Sequence, residues 1–138
     1  MAALMFLAIG LGGFIGTILR YLLSTWITRV SPSTSFPWGT FAVNISGAFG
    51  FGLVVSLGSV FIPSFWIDVL LSGFFGAYTT FSTFALEIVR RLENRKTRSA
   101  LHYALISLIL GFTGLALGLW IGGIILVAVR RFDRLIQS

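Results

Sequence analysis

Charged side chains are missing from four long stretches of this chain, residues 1–19, 30–67, 69–86 and 99–129. A helix of about 20 apolar residues crosses the hydrocarbon core of a bilayer, where a charged side chain is costly. Only 10% of the residues are charged, against about 25% in typical soluble domains. The chain is therefore predicted to be an all-α integral membrane protein, and we expect it to pass several times through the cell inner (plasma) membrane.

Turns and basic runs divide the apolar sequence into four predicted transmembrane helices, which together form one domain over residues 1–138. The helices are predicted over residues 3–27, 40–61, 65–89 and 99–129. Two prolines and small polar residues in SPSTSFPWG separate the first two helices. Pro63 ends the second helix, and the basic run RRLENRKTR follows the third. Four spans place both termini on the same side of the membrane.

Several functional classes do not fit this composition. The sequence offers no carboxylate pair, no nucleophile–base couple and no cysteine, so we expect no enzymatic activity. The net charge of +6 is compatible with nucleic-acid binding, but no soluble domain is present to dock a nucleic acid. Basic runs beside membrane helices instead favour contact with anionic lipid head groups. We therefore expect membrane lipid, and no nucleic acid, among the partners.

Glycine spacing indicates how the helices pack. Gly12 and Gly16 lie four residues apart in the first span, and Gly114, Gly118 and Gly122 repeat the interval in the last. Small residues on one face allow helix backbones to approach closely in lipid. The pattern predicts a compact bundle with little room for a central pore, so a transport path is expected to need a second copy of the chain.

A few polar residues lie inside the predicted spans. Arg20 either extends to the membrane interface or attracts anions into a vestibule. Asn44 shares a helix face with Thr40, and its amide forms either an interhelical hydrogen bond or a contact with a ligand. In the fourth span, Tyr103 and Ser107 are one turn apart and predict the near end of a polar lane.

The third span contains the sequence GFFGAYTTFSTFALE, residues 73–87. Gly76 and the β-branched pair that begins at Thr79 predict a break near the middle of the helix, which frees backbone groups that must find other partners. Phe81 and Phe84 lie three residues apart among hydroxyl side chains, which include Ser82 and Thr83. Hydroxyl and amide donors and the positive edges of aromatic rings suit a small anion. These residues predict a weakly polar path that prefers anions, without naming the anion.

Three segments carry a family resemblance. GGFIGTILRY, PWGTFAVNISGAFGFGL and GFFGAYTTFSTFALE resemble, in order and spacing, the signature segments of the Fluc (CrcB) family of fluoride channels. The resemblance covers three of the four spans. It implies an antiparallel, dual-topology homodimer with two fluoride pores and a structural sodium ion at its centre. The implied activity is passive export of fluoride, which lowers its cytoplasmic concentration and toxicity.

The resemblance also implies roles for individual residues. Asn44, Phe81 and Phe84 would lie on the fluoride path, and the backbone carbonyls of Gly76 and Thr79 would hold the sodium ion. Polar contacts along the path would come from Ser82, Thr83, Tyr103 and Ser107, and Arg20 would lie at the base of a vestibule. Family members carry further hydroxyls along the fourth helix where this chain has Gly111 and Leu115.

Two other functional classes fit the sequence less well. An exporter of cationic drugs needs an embedded carboxylate in its first helix, and the first acidic residue here is Asp68. A membrane assembly factor without transport activity explains the packing glycines but not the hydroxyl-rich third span.

The distribution of basic residues predicts the orientation of the chain in the membrane. The loops after spans one and three carry six Lys and Arg, whereas the termini and the loop after span two carry three. This difference predicts a bias toward external termini within a dual-topology population.

Overall fold

The computed structural model describes residues 2–31 and 36–136, and this part of the chain is entirely helical apart from short connections. The helices are α1 (Ala2–Val30), α2 (Trp38–Phe61), α3 (Ser64–Asp68), a π-helical segment (Val69–Phe75), α4 (Gly76–Tyr78), α5 (Phe81–Glu93) and α6 (Thr97–Ile136). No strand occurs within the described residues.

Four candidate membrane spans are present, as the sequence predicts. They cover Ala2–Val30, Trp38–Gly58, Ser64–Glu93 and Thr97–Leu135. Large apolar side chains point away from the protein along their length, for example Phe6, which is 74% exposed, and Phe112, which is 71% exposed. Such a surface would be unfavourable in water and matches a hydrocarbon environment. The prediction of an all-α protein with four membrane-spanning segments is confirmed.

Helices α2 and α6 pack together through glycines. A Cβ at Gly114 would lie 3.2 Å from the Ile45 carbonyl oxygen, and a Cβ at Gly118 would overlap the carbonyl of Phe49. Contacts advance together along the two helices, so α2 and α6 run parallel to each other. Close approach of backbones is the arrangement that the glycine repeat predicts.

Helix α1 packs against the third span in the same way. A Cβ at Gly12 would lie 2.8 Å from the Val69 carbonyl oxygen, and one at Gly16 would overlap the carbonyl of Phe74. The π-helical segment begins at Val69, so α1 meets the third span where its backbone departs from α-helical geometry. Glycines of α1 therefore hold the segment that leads into the candidate site.

Two extended residues separate α4 from α5. Thr79 has a ψ of 157°, and Thr80 has a φ of −143° and a ψ of 113°. Thr79 still closes the preceding helical turn, because its N–H and its Oγ1 both donate to the carbonyl oxygen of Phe75, at 3.0 and 2.9 Å. The β-branched threonines adopt this conformation readily because branching at Cβ favours extended backbone.

Candidate functional site

The side chain of Asn44 is paired with the backbone of Thr80. Its Nδ2 donates to the Thr80 carbonyl oxygen at 3.1 Å, and its Oδ1 accepts from the Thr80 N–H at 2.8 Å. The amide thus satisfies both backbone groups of an extended residue, as a neighbouring β-strand would. Non-helical backbone in a membrane protein needs such a partner. Asn44 therefore supports the extended segment between α4 and α5.

This pairing changes the hydrogen bonding of the preceding turn. In a continuous α-helix the Thr80 N–H would donate to the carbonyl of Gly76, four residues earlier, but here it donates to Asn44. The Gly76 carbonyl therefore lacks that helical donor. Gly76 and Thr79 both line a cavity of about 290 Å³, named here the glycine cavity. The other residues lining it are Gly47, Ala48, Phe51, Leu71, Phe75 and Leu115.

Thr80 also caps the start of α5. Its Oγ1 accepts from the Thr83 N–H at 3.3 Å and donates to the Thr83 Oγ1 at 3.0 Å. The Ser82 hydroxyl lies 3.3 Å from the Thr80 Oγ1. An N-cap threonine satisfies one of the free N–H groups of the first helical turn. The hydroxyls of Ser82 and Thr83 are therefore drawn into the cap of α5.

A second cavity, of about 300 Å³, lies beside this cap and is named here the phenylalanine cavity. Its lining residues are Asn44, Ala48, Thr79, Thr80, Phe81, Phe84, Ser107 and Leu108. The rings of Phe81 and Phe84 are 6.0 Å apart between centroids and are inclined by 47°. Phe84 is buried, whereas Phe81 is 79% exposed at the open side of the chain. The cavity thus combines two aromatic rings with a few neutral polar groups.

Ser107 carries the one buried side-chain polar atom that lacks a hydrogen-bond partner among the described residues. The Tyr103 hydroxyl lies one turn earlier on the same helix and donates to Glu87 at 2.7 Å; Ser107 lies close to it but does not reach hydrogen-bond geometry. Buried polar atoms are almost always paired, so an unpaired one calls for an explanation. Ser107 also lines the phenylalanine cavity, so its buried, unpaired hydroxyl lies beside that cavity.

A carboxylate connects three of the spans. Glu87 accepts hydrogen bonds from the Thr40 hydroxyl at 2.8 Å and from the Tyr103 hydroxyl at 2.7 Å. The guanidinium of Arg91 lies 5.0 Å from the centre of the Tyr103 ring, and its Nη1 donates to the Glu87 backbone carbonyl at 2.7 Å. Sequence reasoning assigned no role to Glu87 because it lies near the end of a span. The sequence signal that could have drawn attention to Glu87 is its helical register. Glu87 follows Phe84 by three residues and so lies on the same face of α5.

Arg20 lines a third cavity, of about 470 Å³, named here the arginine cavity. The lining residues are Thr17, Ile18, Arg20, Tyr21, Ser24, Thr40, Val43, Thr80 and Thr83. Arg20 is the one charged side chain among them, and no carboxylate of the described residues pairs with it. An unpaired guanidinium in a recess raises the local concentration of anions. Thr80 lines both the arginine cavity and the phenylalanine cavity.

The residues predicted from sequence are divided among these three cavities and their surroundings. The phenylalanine cavity collects Asn44, Phe81, Phe84 and Ser107, together with Thr79. Gly76 and Thr79 line the glycine cavity, and Arg20 and Thr83 line the arginine cavity. Ser82 contacts Thr80, and Tyr103 is buried against Glu87. These last two do not line any of the three cavities.

Comparison with known proteins identifies a matching family and several relatives. Residues 7–119 match the model of a family described as "CrcB-like protein, Camphor Resistance (CrcB)". A relative from Clostridium acetobutylicum, named "Fluoride-specific ion channel FluC 2", is 44% identical over 110 residues, which cover 80% of this chain and 91% of the relative. A protein of the same name from Bacillus cereus is 40% identical over 118 residues, 86% of this chain and 97% of the relative. "Fluoride-specific ion channel FluC 1" from Leifsonia xyli subsp. xyli is 38% identical over 125 residues, 90% of each chain. The chain therefore belongs to the CrcB family.

Proposed function

We propose that this chain is the subunit of a fluoride-selective channel that lets fluoride leave the cell passively. The observation that carries the proposal is Ser107, a residue with a buried, unpaired hydroxyl that lines one cavity together with Asn44 and the two phenylalanines. Relatives that cover most of the chain are named fluoride-specific ion channels, which supports the same anion.

The chemistry of the phenylalanine cavity suits an anion that must also leave. Ser107 offers an O–H donor, and the Asn44 amide retains one N–H beyond the one given to Thr80. The rings of Phe81 and Phe84 offer edges that carry partial positive charge. No cationic side chain of the described residues lines the cavity. Neutral donors bind the ion well enough for it to enter and weakly enough for release, as permeation requires.

Arg20 attracts anions at an earlier stage. Its side chain lines the arginine cavity, which shares the lining residue Thr80 with the phenylalanine cavity. Placing the full charge in the arginine cavity raises anion concentration there, while the described residues that line the smaller phenylalanine cavity are all neutral. In this arrangement Arg20 increases the rate of entry without trapping the ion on its path.

The proposed assembly is an antiparallel homodimer with two pores. Phe81 leaves 79% of its surface exposed beside the polar cap of α5, and a second copy would cover this ring and close the open side of the phenylalanine cavity. An isologous interface repeats each cavity once per subunit, which gives two separate paths. Dual insertion follows because the two subunits of such a pair have opposite orientations in the membrane.

The glycine cavity fits the proposed structural sodium ion. The Gly76 carbonyl lacks its helical donor, and the Thr79 residue that lines the same cavity has extended backbone. Carbonyl oxygens are hard, neutral ligands of the kind that alkali cations accept in membrane proteins. Among the described residues, no group of three His, Cys, Asp or Glu side chains favours a multivalent metal. A bound cation would neutralise the partial negative charge of these oxygens at the centre of the dimer.

Replacing Ser107 tests the proposal. Ser107→Ala removes a hydroxyl that has no protein partner, so the fold should be as stable as the wild type or slightly more stable. Fluoride flux should nevertheless fall about 10- to 100-fold, because a hydrogen bond to a charged group is worth about 1.5–3 kcal/mol. Ser107→Thr, which keeps the hydroxyl, is the matched control. Unchanged flux in a folded Ser107→Ala protein would overturn this role for the cavity.

Insertion in both orientations is tested separately with a tag at the C-terminus. The tag should be accessible from each side of intact cells, with a bias toward the outside. A single orientation in all molecules, with flux retained, would contradict the antiparallel dimer while leaving fluoride transport intact.

A further inference from the structure

Helix α6 continues well past its packing partner. It is 40 residues long, about 60 Å at 1.5 Å per residue, whereas the hydrocarbon core is about 30 Å thick. The contact of α6 with α2 reaches Gly122, where an added Cβ would lie 2.7 Å from the Ser56 side chain. Helix α2 then ends at Phe61, a few residues further on. The family match ends at residue 119. The last turns of α6 therefore have a face that α2 does not cover and that lies outside the matched region.

The described residues that line this open surface all lie on α6 itself, so it is a shallow groove along one face of a single helix, named here the α6 groove. It is lined by Trp120, Gly123, Ile124, Val127, Ala128, Arg131, Phe132 and Leu135. The small side chains of Gly123 and Ala128 leave space between larger apolar neighbours. Trp120 is 65% exposed and Phe132 is 63% exposed, so the walls are open to whatever surrounds the helix.

The charges of the α6 groove lie at one end. Residues 99–129 contain no charged side chain, and Arg130, Arg131 and Arg134 then follow with a single acid, Asp133. Arg131 lines the groove itself, and the Arg134 Nε donates to the Arg130 carbonyl at 3.3 Å. An apolar lane that ends in guanidinium groups has the polarity of the membrane boundary, where acyl chains meet head groups.

We propose that the α6 groove binds an anionic glycerophospholipid, with an acyl chain along Ile124 and Val127 and the phosphate at Arg131. Guanidinium pairs with phosphate through two parallel hydrogen bonds, and the residues on the apolar side match a hydrocarbon chain. A second copy of the groove is a poorer occupant. If two copies packed in parallel, the arginines of one groove would face and repel those of the other. If they packed antiparallel, the arginines of each groove would be buried against the apolar end of the other. The inference depends on membrane insertion and not on the identity of the permeating ion.

Quenching of tryptophan fluorescence by brominated lipids tests the proposal on the purified full-length protein in liposomes. Brominated phosphatidylglycerol should quench Trp120 more than brominated phosphatidylcholine at equal mole fraction. Trp120→Phe, which leaves the other three tryptophans, should remove this excess. Arg131→Gln should weaken the preference for phosphatidylglycerol about fivefold, the effect of one cation near an anionic surface, and the change of all three arginines to Gln should abolish it.

The control for these changes lies at the opposite end of the protein. Three exposed arginines that do not line the groove are changed to Gln together, namely Arg90, Arg95 and Arg98. This variant should keep the full preference for phosphatidylglycerol at Trp120. Three results would each overturn the proposal. The two lipids would quench Trp120 equally, the excess quenching by phosphatidylglycerol would persist in the variant without Arg130, Arg131 and Arg134, or the excess would be lost in the control variant. Shielding of Trp120 from both lipids would do so as well, by assigning the groove to a second copy.

Discussion

Asn44→Asp is a stringent test because the structure separates two functions of this side chain. A carboxylate keeps the oxygen that accepts from the Thr80 N–H at 2.8 Å but loses the N–H that donates to the Thr80 carbonyl at 3.1 Å. It also places a full negative charge on the wall of the phenylalanine cavity. The first effect acts on the extended segment between α4 and α5, and the second acts on the anion.

The two effects differ in size. Losing one hydrogen bond and leaving a buried carbonyl unsatisfied costs about 1–3 kcal/mol of stability. Two unit charges about 4 Å apart repel by about 4 kcal/mol at an effective dielectric constant near 20, which corresponds to roughly a 10³-fold loss of anion occupancy. We therefore expect Asn44→Asp to fold with reduced stability and to conduct fluoride at about a thousandth of the wild-type rate.

Asn44→Ala is the control that isolates the charge. It removes both hydrogen bonds to Thr80 without adding a charge, so its stability should fall at least as far as that of Asn44→Asp while its flux falls less. Thermal unfolding and size-exclusion profiles in detergent report the fold, and fluoride efflux from liposomes reports conduction. The reasoning is refuted if Asn44→Asp, folded and assembled as the wild type, retains flux within about threefold of it.

Three further changes probe separate contacts. Replacing Phe81 or Phe84 with Ile keeps apolar bulk but removes the ring edge, so fluoride flux should fall about tenfold in each; wild-type flux in both would make the rings packing residues only. Glu87→Gln keeps an oxygen that accepts one of its two side-chain hydrogen bonds but removes a charge near the aromatic cluster, and flux should rise or stay level with a loss of stability of about 1 kcal/mol; an abolished flux in folded protein would show that the carboxylate is needed for conduction. Gly118→Ala should destabilise the bundle by about 2 kcal/mol or more, because its Cβ would overlap the backbone of α2, whereas Gly10→Ala, which meets nothing within 4 Å, should not; equal melting temperatures would contradict the helix packing described above.

Much of the fold followed from patterns that act locally along the chain. Gaps in charge located the four spans because a bilayer excludes charge over a fixed thickness. Glycine repeats located the packing seams, since a missing Cβ at Gly16 or Gly118 is what lets backbones meet. No comparable sequence pattern predicts the π-helical geometry of Val69–Phe75. This segment is where α1 packs against the third span through Gly12 and Gly16, a tertiary contact that the local sequence does not report.

The candidate site was less accessible from sequence than the fold. Asn44, Phe81, Phe84 and Ser107 stood out because polar and aromatic residues are conspicuous in an apolar span, and they line one cavity. Their individual tasks remained open, since spacing does not show that the Asn44 amide pairs with Thr80.

Tertiary contacts add what local patterns in the sequence do not report. The contact of Glu87 with Thr40 and Tyr103 joins three spans; helical register places Glu87 on the same face of α5 as Phe84 but does not identify these partners. The resemblance implies a polar contact along the path for Ser82, and in the structure its hydroxyl lies 3.3 Å from that of Thr80 at the cap of α5. An N-cap competes for nearby hydroxyls wherever a helix restarts after extended residues.

Fluoride efflux from liposomes that contain only the purified protein tests the central claim most directly. Liposomes loaded with potassium fluoride and diluted into fluoride-free buffer should release fluoride when valinomycin carries the compensating potassium. The same liposomes loaded with potassium chloride should release little. Protein-dependent fluoride release without chloride release is the predicted result. No release above that of protein-free liposomes, or equal release of fluoride and chloride by a folded protein, would contradict a fluoride-selective channel.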